Sequence, residues 1–165
     1  MNETTLQDFR LPTYRELPNI GLYLEQTVQY INGFMAPLGL PELTPSMVSN
    51  YVKKGLITPP VKKQYNAEQL AQLFFISAAK SVLSMDDIGR MLTMQKATYP
   101  DDIAYDYFCK ELRDMVLFVF GLKDAVDTPT MRHPEEKGML RSMTIAVSHM
   151  VYLHSRLKAY YETKE

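Results

Sequence analysis

The chain is 165 residues long, 46% hydrophobic and 22% charged, with a formal net charge of -1. That size and apolar content let it bury a core without metal or disulfide support. The near-neutral balance excludes a polycation, so any hold on nucleic acid must come from a local patch. The lone Cys109 excludes an internal disulfide and suits a reducing compartment.

The stretch from Met1 to Asp8 is polar and carries no apolar signal region. The longest strongly apolar run, Met115 to Leu122, is far too short to span a bilayer. A soluble, cytoplasmic protein without membrane contact is expected. Residues 1–18 contain Pro12 and Pro18 and read as an extended arm. Asn19 suits the cap of a first helix running to Met35. Its apolar residues Ile20, Tyr23, Leu24, Val28, Ile31, Phe34 and Met35 recur at steps of three and four, which buries one face. Gly33 and the stretch from Pro37 to Pro41 end it.

Thr44 caps a second helix with Pro45 at its first position, where proline loses no hydrogen bond. Gly55 stops it, and Pro59 and Pro60 bar continuation. Asn66, with Gln69 three residues on, forms a capping box for a third helix whose buried face is Leu70, Leu73, Phe74, Ala78 and Val82. Ser84 caps a fourth, Asp86 and Asp87 suit its N-terminal dipole, and Ile88, Met91 and Leu92 form its core face. After the break at Tyr99 to Asp102, a long helix is expected from Asp102 to Ala125, apolar on every side at Met115 to Leu122. A polar loop from Asp127 to Gly138 overlaps the start of a last helix, Lys137 to Tyr161. The fold class is all-α, with at most a tiny hairpin between Ile57 and Tyr65.

The second helix carries the chemistry. Met47, Val48, Tyr51 and Val52 fall on one side, while Ser46, Ser49, Asn50 and Lys53 fall on the other. A front of small hydrogen-bonding side chains lets a backbone approach a major groove closely, and asparagine pairs bidentately with adenine. Between Thr44 and Tyr65 lie Lys53, Lys54, Lys62 and Lys63 and no acidic residue. These lysines suit the phosphates along a groove edge. The plainer alternative is a solvated helix face, with Lys53 and Lys54 placed at a helix C-terminus by its dipole.

Val48-Ser-Asn-Tyr51, Gly55-Leu-Ile-Thr-Pro59, Tyr65, Leu70, Leu73, Ile76, Leu83-Ser-Met-Asp-Asp-Ile88 and Leu92 together resemble the MerR-type winged helix-turn-helix over residues 43–92. The stretches 17–26, 43–53 and 60–65 also look like a bacterial family known as domain of unknown function eighteen thirty-six, itself regarded as MerR-like. The resemblance implies an N-terminal arm at 1–18, a MerR-like helix-turn-helix domain at 19–98 and a C-terminal helical region at 99–165. It implies a transcriptional regulator that binds double-stranded DNA through Ser46, Ser49, Asn50, Lys53, Lys54, Lys62 and Lys63. Tyr51 and Tyr65 would brace the reading helix and the wing. Two departures stand out: Ser49 and Asn50 replace the arginine and tyrosine usual in MerR proteins, and the wing is short and lysine-bearing. Lysine makes point contacts rather than bidentate ones. A protein-interaction module on the same fold, without DNA binding, is the competing expectation.

In the last helix, Met139, Met143, Ala146, Met150, Leu153, Leu157 and Tyr160 form a heptad seam. That seam suits a homodimer through the C-terminal helices, as in MerR regulators, or an intrachain hairpin with the preceding apolar helix. Leu140, Val147 and Val151 widen the stripe toward a second neighbour. His133, His149, His154 and Cys109 show no zinc spacing, and Asp101, Asp102, Asp106 and Glu111 read as helix-terminal or structural acids. With no phosphate loop or nucleophile elbow, no enzyme activity, catalytic residue, metal or cofactor is expected. Methionines with Phe108, Phe118 and Phe120 suit a plain core or an apolar pocket for an unknown small effector.

Overall fold

Three polar side chains set helix starts where their chemistry suits the task. In the computed structural model Thr44 Oγ1 accepts from the Met47 N–H, Asn66 Oδ1 from Gln69, and Ser84 Oγ from Asp87, at 3.2, 3.0 and 3.2 Å. Residues 6–128 and 132–164 are described; the first five residues of the expected arm, positions 129–131 of the expected loop, and Glu165 lie outside them. The helices are α1 (Leu24–Met35), α2 (Pro45–Lys53), α3 (Ala67–Ala79), α4 (Met85–Thr98), α5 (Asp101–Val119) and α6 (Pro134–Glu162). Two-residue strands β1 (Leu22–Tyr23) and β2 (Gln64–Tyr65) pair antiparallel, Leu22 opposite Tyr65. The chain is predominantly helical, and among the described residues no helix is long and apolar enough to cross a membrane.

The first helix begins later than its periodicity predicts. Leu22 and Tyr23 are committed to β2, so α1 starts only at Leu24, where Gln26 Oε1 accepts the Tyr23 N–H at 2.9 Å. Asn19 lies outside the helix, and Ile20 and Tyr23 are exposed rather than on its buried face. Val28, Ile31 and Met35 are buried as expected.

Helix α3 is the centre of the core. From Gln69 to Ala79 every residue except Gln72 is buried. Phe74 packs against Tyr30 and Phe34 of α1 and Tyr105 of α5, with ring centroids 5.9, 6.1 and 6.2 Å away. Phe75 meets Phe108 edge-on at 5.2 Å. Such ring pairs each add about 0.5–1.5 kcal/mol beyond their buried area. The segment before α1 closes over α5. Leu6, Phe9, Leu11 and Leu17 are buried, the Arg113 guanidinium donates to the Phe9 and Gln7 carbonyls, and the Tyr105 hydroxyl donates to the Pro12 carbonyl.

The two long helices do not form a hairpin. Tyr107 lies by Lys137, Glu111 by Arg141 and Phe120 by Tyr152, so numbers ascend together and α5 and α6 run parallel. The linker must therefore return along α5, and charges pin it there. Lys123 meets Asp114 at 3.0 Å, and Lys110 bridges Asp114 and Asp127 at 2.9 Å each. Burial works to raise the Asp114 carboxyl, but the bonds from Lys110 and Lys123 outweigh it and hold it below its ordinary value. Gly121 follows the end of α5 earlier than expected, and Pro134 opens α6.

Arg141 grips the buried Glu111 with two bonds of 2.9 and 2.8 Å. Arg141→Met leaves that carboxylate buried and unpaired, and is expected to lower stability by about 3–5 kcal/mol in denaturant unfolding. Adding Glu111→Met should recover most of the loss; a double variant as unstable as the single would show that the unpaired carboxylate is not the source of the loss.

Candidate nucleic-acid interface

The second helix is built to be held from behind. Val48 and Tyr51 are buried, Met47 and Val52 half-buried, and Ser46, Ser49, Asn50 and Lys53 exposed, which is the two-sided division read from the sequence. Its lead-in is fixed by Asn32 of α1, whose amide donates to the Leu43 carbonyl at 2.8 Å and accepts the Leu43 N–H at 2.9 Å. Lys80 also bonds the Pro41 carbonyl. At its C-terminus Gly55 adopts φ of 77°, the left-handed conformation glycine takes without strain. The Leu56 N–H then reaches the Tyr51 carbonyl and the Gly55 N–H reaches that of Val52, closing a Schellman motif.

Beyond Gly55 the chain is clamped by Gln69. This side chain is only 2% exposed, and its Nε2 donates to the Thr58 and Pro59 carbonyls at 2.8 and 3.0 Å. Its Oε1 accepts the Asn66 N–H at 2.7 Å. The segment then folds into a two-residue turn, with Val61 and Gln64 exchanging backbone bonds of 3.1 and 2.9 Å around Lys62 and Lys63. Both lysines have positive φ, 51° and 64°. A turn with two such central residues favours Asn-Gly; here two lysines occupy it at a cost of about 1–2 kcal/mol each. Gly21 lets β1 approach this hairpin, because a Cβ there would sit 2.5 Å from the Gln64 Cβ. Burial raises the Tyr51 and Tyr65 phenols above their ordinary values, which keeps both neutral in bracing positions.

All seven expected site residues are exposed: Ser46, Ser49, Asn50, Lys53, Lys54, Lys62 and Lys63. No hydrogen bond or ion pair joins any of these side chains to another described residue. Four share the front of α2 and two sit at the hairpin tip, while Lys54 at the helix end lines a separate cleft beside α4. The supports, Asn32, Gln69 and Gly21, were not read as site residues from the sequence. Gln69 carried a capping-box signal, but the far contacts of its amide had none.

Elsewhere, His149 and His154 are exposed, and among the described residues no group of three His, Cys, Asp or Glu is placed to hold a metal. Cys109 is pushed up to about 12 by burial, which leaves it a poor nucleophile near neutrality.

Lys62→Asn with Lys63→Gly relieves both strained residues. Allowing for the extra unfolded-state freedom of glycine, the pair should raise stability by about 1 kcal/mol. An unchanged or lower denaturant midpoint would contradict the strained-turn assignment.

The family described as Domain of unknown function (DUF1836) matches residues 12–109. No curated protein and no solved structure matches the chain. The two ends of the matched stretch meet in space, where the Pro12 carbonyl accepts from Tyr105 at 2.8 Å and lies 4.0 Å from Cys109 Sγ. The match covers more than half of the chain and includes α2, the lysine hairpin and their supports, and on that ground the protein belongs to the DUF1836 family.

Proposed function

We propose that this protein is a transcriptional regulator that binds double-stranded DNA as a MerR-like winged helix-turn-helix. Helix α2 enters the major groove, and the hairpin at Val61–Gln64 serves as a short wing against the backbone. The observation that carries this reading is the pair of exposed lysines held in the left-handed conformation at the hairpin tip. Strain of that kind concentrates where function requires a particular side chain, and phosphate contact explains why lysine stands where Asn-Gly would be easier. The exposed serines and Asn50 of α2 supply base-edge contacts, and Lys53 a phosphate contact.

The same reading places a homodimer on α6. Phe120, past the end of α5, lies at Tyr152, so α6 projects about 15 Å beyond that contact. No residue after Val151 is buried among those described, yet Leu153 is 58%, Leu157 50% and Tyr160 53% exposed on a heptad spacing with Met150. A second copy of this helix covers the stripe. Four side chains per copy bury less than the ~1,200 Å² of a stable interface, so the pair is concentration-dependent. This projecting face equally favours a second reading, a protein-interaction module without DNA affinity.

Lys53, Lys62 and Lys63 from each of two protomers predict a log–log salt slope of about -5 on duplex DNA. Lys62→Asn with Lys63→Gly should leave a slope of about -2 and weaken every sequence alike, while Asn50→Ala should relax preference at one base position. No retention on DNA at low salt would favour the interaction module. For the dimer, Leu153→Lys with Leu157→Lys should give the monomer mass in light scattering at concentrations where the parent is dimeric; an unaltered mass would remove α6 as the interface.

A further inference from the structure

A cleft of about 1080 Å³ opens between the Leu56–Pro59 segment, α3, α4 and α5. It matches the scale of small-molecule sites, about 300–1,000 Å³, with room for water besides. Leu56, Ala71, Phe75, Leu92 and Phe108 give it apolar walls. Its charged lining balances: Lys54, Arg90 and Lys96 stand against Glu68, Asp86 and Asp101. Lys96 is already paired with Glu68 at 2.9 Å and Arg90 with Asp87 at 2.8 Å. Such a lining selects no net charge. One wall, however, carries an unmade bond. Gln72, the one residue of α3 between Gln69 and Ala79 that is not buried, has its Oε1 shut from solvent without a hydrogen-bond partner. A buried acceptor left so costs about 1–3 kcal/mol. Gln95 Nε2 is also unpartnered, but Gln95 borders a second small void beside Tyr99 as well, so Gln72 carries the argument.

We infer that this cleft binds an uncharged aromatic molecule bearing one hydrogen-bond donor, its apolar body against Leu56 and Leu92, which are only partly buried, and its donor on Gln72 Oε1. The site stands apart from the front of α2 and does not rest on the DNA-binding reading.

The probe is N-phenyl-1-naphthylamine, a neutral bicyclic amine with one N–H, titrated into the full chain and followed by its fluorescence. Saturable binding at one site per chain is expected. Thr93→Trp, a substitution at an exposed lining position of α4, should weaken it at least tenfold by filling the mouth. Gln72→Leu should weaken it about tenfold through loss of the acceptor. Amide NMR shifts on the parent protein should fall on Leu56–Pro59, α3 and α4. Unsaturable binding, shifts confined to the projecting end of α6, or a Thr93→Trp variant that binds like its parent would each overturn the site. In those cases the cleft holds only solvent or a partner's side chains. A Gln72→Leu variant of parental affinity would overturn the donor assignment.

Discussion

The amide of Gln69 stands where the segment running from α2 to the hairpin meets the core. One end accepts the Asn66 N–H and so starts α3; the other donates to Thr58 and Pro59 and so fixes the path from α2 to the hairpin. A buried amide must satisfy all its bonding capacity or lose the desolvation of each unmet group. That requirement ties the deeply buried helix α3 to the exposed lysines of the hairpin. If the loop shifted, Gln69 would lose its acceptors, and if α3 began elsewhere the loop would lose its anchor.

Around that joint the molecule divides its charge with care. The ion pairs with buried acids lie on α5, where Glu111 meets Arg141 of α6 and Asp114 meets Lys110 and the linker's Lys123. They hold a parallel helix pair and the linker that returns between its ends. The lysines of α2 and the hairpin, by contrast, are left without intrachain partners among the described residues. Four lysines without an ion pair thus lie within one short region of a chain of net charge -1, and two of them carry backbone strain.

Much of this was legible in the sequence because it depends on neighbours close along the chain. Thr44 with Pro45, Asn66 with Gln69, and Ser84 announced three helix starts, since a cap contacts groups only two or three residues on. Gly55 announced the end of α2, and the two-sided pattern of Met47 to Lys53 separated its back from its front. Asn19 misled because a cap signal counts only if the following backbone is free, and here Leu22 and Tyr23 are taken by β2. The heptad on α6 was visible as well, but Leu140, Val147 and Val151 form the stripe that α5 and its neighbours cover, leaving the outer part of the seam open.

What the sequence by itself determined is the set of helices, the polar front of α2 and the cluster of lysines, all of which follow from local caps, period and composition. Tertiary structure alone decided that Lys62 and Lys63 sit in a strained turn, because that turn exists only where Val61 pairs with Gln64 and β2 is held by β1 against Gly21. It also decided the parallel run of α5 and α6 and the cleft beside Gln72. Each of these depends on contacts between residues tens of positions apart, and hydrophobic periodicity specifies which face is buried without naming what buries it.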